Sequence, residues 1–291
     1  MIQHRFFNQS DFKQNPVRAV FKRVFWRLHW CIQPDKPVLV RRWWRGMEIL
    51  LPHSAAAAPV YYRQFSSTAT LQTIMEIVKP GMMVVDIGAH AGEYTLILSE
   101  LCGKSGFVHA FEPQPELAEV IRRNVMHNGR SNVQVHQCAI ASRTGRFAFM
   151  SDAKSGGGWI AAELGGGCRS VLATSLDDFL ADFNIPRLDF IKLDAAGCEF
   201  EALQGATRCL DRMAPTVLCQ IYNPDVISAR CGEREERILE PFQRRGYQLS
   251  LFNEEISKER KPISGYKDAL AAFQARQSYS LSLVALPPGT K

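Results

Sequence analysis

From residue 68 onward, short apolar runs alternate with stretches whose apolar residues recur every three or four positions, and this alternation restricts the fold more than any other feature. Leu71, Ile74, Met75 and Val78 mark a helix that stops before Pro80-Gly81, and residues 82–87 are an apolar strand carrying Asp86. A helical stripe at Tyr94, Ile97, Leu98 and Leu101 follows, then a strand over 106–112. A helix through Leu117, Val120, Ile121 and Val125 leads to a third strand over 133–138. A hairpin-type turn at 142–145 runs into 146–150 and a glycine-rich stretch, Gly156-Gly157-Gly158-Trp159 and Gly165-Gly166-Gly167. That stretch reads either as a plain surface loop or as a lid carrying Trp159. Alternation resumes with a short helix (Leu176, Phe179, Leu180, Phe183), a strand over 188–193 ending at Asp194, a helix through Phe200, Leu203 and Leu210, and a strand over 216–221. Ile238, Leu239 and Phe242 mark another helix, and two late strands, 247–252 and 279–286, flank a helix near 267–276. Strands this apolar are covered on both faces, so a mostly parallel, doubly wound α/β sheet is expected. No internal repeat is visible.

The first 66 residues read as a separate cap segment, leaving 67–291 as the main domain. Asn15-Pro16 starts a helix, with Asn as N-cap and Pro at the first helical position. Val17, Val20, Phe21, Val24, Phe25 and Leu28 repeat at helical spacing, with Arg18, Lys22, Arg23 and Arg27 on the other faces. This basic amphipathic helix either packs on the main domain or lies on an anionic membrane surface, a contact expected through residues 16–30. Two β-like runs, 37–44 and 46–51, and an aromatic segment, 60–65, complete a cap over one edge of the domain. Residues 1–63 hold 11 Lys/Arg against 3 Asp/Glu, a balance of +8, so the chain's net +6 leaves −2 for the rest. A nucleic-acid binder carries its basic stripe on the folded domain more often, which argues against a nucleic-acid partner.

Cys31, Cys102, Cys138, Cys168, Cys198, Cys209, Cys219 and Cys231 show neither CxxC spacing nor a zinc-site rhythm. They read as reduced, structural thiols of a cytoplasmic protein, and no metal is expected. No run approaches the roughly 18 apolar residues needed to span a bilayer. The localisation expected is cytoplasmic, with attachment at the inner face of a membrane as the alternative.

Asp86-Ile87-Gly88-Ala89-His90-Ala91-Gly92 lies between the first strand and its helix, at the carboxyl end where open α/β sheets bind ligands. Gly88 and Gly92 permit a tight turn, and the helix start offers free N–H groups. Glu112, 26 residues after Asp86 at the next strand end, is placed to accept both hydroxyls of a ribose. A dinucleotide site calls for G-x-G-x-x-G around a pyrophosphate. Here the pattern is D-x-G-A-x-x-G, with an acid at the loop mouth that suits an amino group, which favours S-adenosyl-L-methionine over NAD. The cofactor-binding set expected at the strand ends is Asp86, Gly88, Ala89, His90, Gly92, Tyr94, Thr95, Glu112, Pro113, Cys138, Ala139 and Asp194. At His90 a backbone role at the turn is expected rather than acid–base work. Asn128, before Gly129, reads as a helix end.

The stretch Val85-Asp86-Ile87-Gly88-Ala89-His90-Ala91-Gly92-Glu93-Tyr94-Thr95 resembles the first motif of the FkbM-type methyltransferases. So do His109-Ala110-Phe111-Glu112-Pro113-Gln114-Pro115, Arg123-Asn124-Val125-Met126-His127-Asn128, the hairpin 139–145 and Leu188-Asp189-Phe190-Ile191-Lys192-Leu193-Asp194. The resemblance covers roughly residues 60 to 225. It implies a Rossmann-like class I methyltransferase fold, a seven-stranded, mostly parallel sheet with the last strand antiparallel. It also implies O-methylation of a sugar or polyketide hydroxyl, in natural-product or glycan biosynthesis of a bacterial type. Two departures fall at strand ends. Where the family reads Asp-Val-Glu-Gly-Ala-Glu, this chain has Asp194-Ala195-Ala196-Gly197-Cys198-Glu199, and Gln220-Ile221-Tyr222 stands where a glutamate is usual.

Methyl transfer to an alcohol requires alignment and removal of a proton. Asp194 is the expected residue for orienting the methionine moiety or the acceptor, with Glu199 and Tyr222 as further catalytic candidates. The competing role for Glu199 is a carboxylate at a helix N-terminus. Trp43, Trp44, Tyr61, Tyr62, Arg41, Arg42 and Arg45 suggest a bulky small-molecule, glycan or glycolipid acceptor with an apolar body. A cofactor-binding protein that has lost transfer, through Ala196 and Gln220, and an NAD-dependent oxidoreductase are the alternatives.

Overall fold

The computed structural model describes residues 10–151, 156–161, 167–223, 237–253, 257–276 and 280–290. After α1 (Ser10–Gln14), Asn15 Oδ1 accepts the Arg18 N–H at 2.9 Å and Pro16 opens α2 (Pro16–Ile32), the start expected from Asn15-Pro16. The helix packs on the domain, but not through its periodic Val/Phe/Leu stripe. Its buried side chains are Ala19, Trp26 and Trp30. Removing a large apolar side chain from water contributes about 2–3 kcal/mol, so the two indoles dominate the choice of face. The β-like runs pair as β1 (Val38–Val40) and β2 (Ile49–Leu51), antiparallel, and the aromatic segment is a short helix, α3 (Ala58–Arg63).

The main alternation runs α4 (Thr68–Ile77), β3 (Met83–Ile87), α5 (Glu93–Cys102), β4 (Phe107–Phe111), α6 (Pro115–His127) and β5 (Val133–His136). A separate four-stranded sheet follows, of β6 (Ala139–Ile140), β7 (Gly145–Ser151), β8 (Gly158–Ala161) and β9 (Cys168–Thr174), in the order β6-β9-β7-β8. Then come α7 (Leu176–Asp182), β10 (Phe190–Leu193), α8 (Glu199–Gln204), α9 (Thr207–Arg212) and β11 (Thr216–Tyr222). The chain closes with α10 (Glu240–Gln243), β12 (Gln248–Asn253), β13 (Ser257–Ile263), α11 (Tyr266–Arg276) and β14 (Ser280–Leu286).

The large sheet has the order β13-β12-β14-β11-β10-β3-β4-β5. Its five strands from β11 to β5 are parallel, and β14, β12 and β13 join antiparallel. This is the expected class I arrangement with one strand more. β13, Ser-Lys-Glu-Arg-Lys-Pro-Ile, has no apolar alternation because it is an edge strand bonded on one side, where charges and proline discourage further pairing.

Alternate strand residues serve two core layers. Val85, Ile87, Ile191, Leu193, Val217 and Leu283 face helices α7 to α11. Val84, Val108, Phe190, Leu218 and Val284 face the other way, onto a layer that includes Leu71, Ile74, Leu96 and Leu98 as well as Trp26, Trp30, Trp43, Ile49 and Leu51. The N-terminal segment thus covers a face of the sheet, where a cap over an edge was expected. Asn124 ties it down: its Oδ1 accepts from Leu50 N at 2.6 Å, and its Nδ2 donates to Leu50 O and Ala91 O at 3.0 and 2.8 Å. One turn on, Asn128 does the same for Glu48, besides capping α6.

The seven described cysteines form no disulfide, and Cys231 lies outside the described residues. Among the described residues no helix is long and apolar enough to cross a membrane, and no group of three or more side chains gathers as a metal site.

Candidate active site

The chain leaves β3 to build β4 and β5 on one side, then returns to build β10 and β11 on the other. The carboxyl ends of β3 and β10 are therefore the switch point at which such sheets bind ligands. There Gly88 adopts φ +76°, and a Cβ on it would lie 1.9 Å from Asp194 O. Only glycine allows the loop after β3 to pass this close to the end of β10.

Glu112, just past β4, joins the two loops. Its Oε2 accepts from His90 N and its Oε1 from Gln114 N, each at 3.0 Å, and the Gln114 side chain also hydrogen-bonds to it. The group is 4% exposed, and burial pushes its carboxyl up to about 7 against the pull of those backbone N–H groups. His90 has φ +52°, and its N–H is the one given to Glu112, so its expected backbone role is what the geometry displays. Its ring meets Ser54 Oγ at 3.2 Å, and desolvation pushes the imidazole down to about 4.

These residues border a cavity of about 220 Å³. Of the expected cofactor set, Gly88, His90, Glu112, Pro113, Ala139 and Asp194 line it. Gln114, Phe149, Trp159, Ile160 and Ala196 are also in its wall. Trp159 sits in β8, paired opposite Met150, so the glycine-rich stretch supplies a strand of the cavity wall where a loop or lid was expected. Gly165 and Gly166 lie outside the described residues.

Asp86 is not at the loop mouth. It is fully buried under the loop, where Oδ2 accepts from Thr95 Oγ1 at 2.7 Å and Oδ1 faces Lys192 Nζ at 3.4 Å. The parallel register of β3 and β10, which sets Asp86 beside Lys192, imposes this. Ala89, Gly92, Thr95 and Cys138 likewise do not line the cavity: Ala89 packs with Ala110 and Ile121, and Gly92 closes against Ile121. Lys192 is 6% exposed, lies 3.8 Å from Asp194 Oδ2, donates to Gly88 O at 3.4 Å and sits over the Tyr94 ring. A lysine inside an otherwise apolar strand was the available signal for it, because lysine is almost never buried unless paired.

A second cavity, of about 270 Å³, adjoins the first and shares Ala56, Asp194 and Tyr222 with it. Most of its wall is polar: Ser66, Thr70, Tyr94, Lys192, Gln220 and Ser282 contribute. Tyr94 thus belongs to this cavity and not to the first. Tyr222 Oη donates to Asp194 Oδ1 at 2.7 Å in the common wall. Glu199 lines neither cavity. Its carboxylate accepts from Ala195 N at 2.7 Å and from Gly197 N at 3.0 Å, fixing the loop after β10 at the start of α8. Burial, then the Asp194 charge, pushes it up to about 8. This is the helix-start role, so contact with an acceptor through Glu199 is not what the geometry offers.

The aromatic and basic residues of the cap also line neither cavity. Trp43 is buried and donates to Gln64 O, and Tyr61 packs on Trp26. The aromatic rings are spent on holding the N-terminal segment, so they are not the acceptor's apolar surface.

Sheet order, glycine loop and buried strand-end glutamate together give the architecture expected of a class I methyltransferase domain. Residues 86–249, more than half of the chain, match the methyltransferase FkbM domain family, and the chain belongs to it. S-adenosylmethionine is its cofactor, and Glu112, buried in the cavity wall, is an acceptor of the kind that a ribose hydroxyl needs. A protein-L-isoaspartate O-methyltransferase of Methanococcoides burtonii is 35% identical over 80 residues, 26% of this chain and 39% of the relative. A tRNA (adenine(58)-N(1))-methyltransferase of Thermus thermophilus is 33% identical over 78 residues, 27% of this chain and 29% of the relative. The chain thus matches well under half the length of these curated relatives. A solved methyltransferase FkbM from Methylobacillus flagellatus KT aligns over 81% of this chain and 56% of that one, at 18% identity and a TM-score of 0.45.

Proposed function

We propose that the chain methylates a hydroxyl of a compact, polyhydroxylated, sugar-like acceptor seated in the second cavity. The observation that supports this reading is the shared wall, in which Asp194 and Tyr222 border both cavities. When bound, S-adenosylmethionine supplies an electrophilic methyl carbon, so the protein has to align one oxygen and remove one proton. Glu112 holds the nucleoside end through its carboxylate. The second cavity's wall is rich in polar residues, Ser66, Thr70, Gln220 and Ser282 among them, which is why a sugar-like acceptor fits better than a long apolar chain. A hydroxyl lodged against Tyr222 gives up its proton to the Asp194 carboxylate, directly or through the Tyr222 hydroxyl that already points there. Lys192, 3.8 Å away, holds that carboxylate in place.

Ala196, in the wall of the first cavity where the family resemblance implies an acid, favours one second reading, a chain that binds cofactor without turnover. Both readings meet one experiment, a panel of polyhydroxylated acceptors assayed with methyl-labelled S-adenosylmethionine. Asp194→Asn is expected to lower kcat by about 10²–10⁴-fold and Tyr222→Phe by less, with cofactor Kd changed only a few-fold. An unaltered kcat in Asp194→Asn removes the proposed base. Cofactor binding with no turnover on any acceptor supports the second reading.

A further inference from the structure

Eleven large apolar side chains are exposed among the described residues, and seven of them lie on α2. Val17, Phe21 and Ile32 are 78, 68 and 73% exposed. The other four (Met75, Met126, Leu172 and Phe183) are scattered singly over other elements, as on any protein surface. At about 100° per residue, the seven fall within roughly 140° of arc, centred opposite the buried Ala19, Trp26 and Trp30. Arg18 and Arg27, both exposed, stand about 20° outside the two edges of that arc. The helix contains four Lys/Arg and no acid, within a segment of net +8.

We propose that this outward face of α2 docks the protein on an anionic lipid bilayer, with the apolar stripe in the interface and the flanking arginines at the headgroups. The stripe is a convex, aromatic-containing face bordered by cations, which is the form of helices that lie in a membrane interface. A second copy of the chain is the poorer occupant. Pairing the same face across a two-fold axis brings two strongly basic segments together with no acid on either helix to offset them. The stripe lies on α2, and the same helix holds α3 through Lys22 Nζ, which donates to Tyr61 O and Tyr62 O at 2.9 and 3.2 Å. Pro59 of α3 and nearby Ala56 line the second cavity, so the docking helix is joined through α3 to that cavity's wall.

The test is co-sedimentation of the full chain with vesicles of phosphatidylglycerol and phosphatidylcholine, or of phosphatidylcholine alone, and it needs no turnover. Binding to the anionic vesicles is expected, weakened by about 0.5 M salt. The double variant Phe21→Glu/Leu28→Glu should bind about tenfold less or worse, with an unchanged melting temperature because both side chains are exposed. Met126→Glu, the control, should bind as the wild type does. Failure of the wild type to bind anionic vesicles overturns the proposal, as does equal binding by the double variant or to the neutral vesicles. A dimer by sedimentation equilibrium that the double variant dissociates, without vesicle binding, assigns the face to a second copy instead.

Discussion

If Glu112 holds the ribose as proposed, cofactor affinity depends on pH in a definite direction. Burial raises its carboxyl to about 7 in the free protein. Ribose hydroxyls would donate to the ionised form, so binding would draw the group toward the carboxylate. For an acid that must be ionised to bind, the apparent Kd scales as 1 + 10^(7 − pH). Affinity should therefore be nearly constant above pH 8, about twofold weaker at pH 7 and about tenfold weaker at pH 6. Glu112→Gln removes the titration while keeping the shape. It also turns an amide N–H₂ toward His90 N or Gln114 N, which are themselves donors, so one backbone hydrogen bond is lost with one charge-assisted contact. That costs about 1.5–3 kcal/mol, a Kd roughly 10- to 100-fold higher. Calorimetric titration of S-adenosylmethionine at pH 6, 7 and 8 into both proteins separates the effects, because ionisation of the ligand is common to the two. A ratio of the two Kd values that stays constant from pH 6 to 8 refutes the assignment of the ribose site to this residue.

Two further substitutions probe the scaffold. Gly88→Ala sets a methyl 1.9 Å from Asp194 O at a φ of +76°, so the loop after β3 or the end of β10 must move; a loss of about 2–4 kcal/mol in urea unfolding, with cofactor binding abolished, is expected. Asn124→Ala deletes three buried hydrogen bonds and leaves Leu50 and Ala91 backbone groups without partners; it should cost about 2–4 kcal/mol by the same measurement, and a loss under half a kcal/mol would show that β2 does not depend on it.

How far the sequence led differs from residue to residue, for physical reasons. The run through Asp86, the spacing to Glu112 and the Asn15-Pro16 start were legible because strand continuity, strand-end placement and helix capping are local properties. Which face of α2 is buried was not, because periodicity identifies an apolar stripe without saying what covers it, and two tryptophans off that stripe outweigh it. β13 was missed because an edge strand protected by charges carries no apolar signal. From sequence Trp159 reads as part of a loop or lid and not of a strand, since glycine-rich stretches look alike whether they turn freely or pack closely. Gly158 does the latter, its α-carbon lying so near Phe149 that a Cβ would come within 2.5 Å of the ring.

The position of Asp86 shows why motif chemistry alone misassigns roles. An acid in a glycine loop suggests a hand extended to the ligand, yet the parallel register of β3 and β10 sets it beside Lys192, beneath that loop. A buried ion pair is weak as a source of stability, since desolvating both partners offsets most of their attraction, but removing one partner costs about 3–5 kcal/mol. Its use here is positional. Lys192 is shared between Asp86 and Asp194 and also donates to Gly88 O, so one ammonium locks together the loop after β3, the end of β10 and the carboxylate next to Tyr222. Ala196 lies in the wall of the first cavity, whereas Asp86, Lys192 and Asp194 form the frame at the ends of β3 and β10. The lack of an acid at 196 therefore leaves the Asp194 carboxylate ordered beside Tyr222, which is the arrangement the proposed transfer requires.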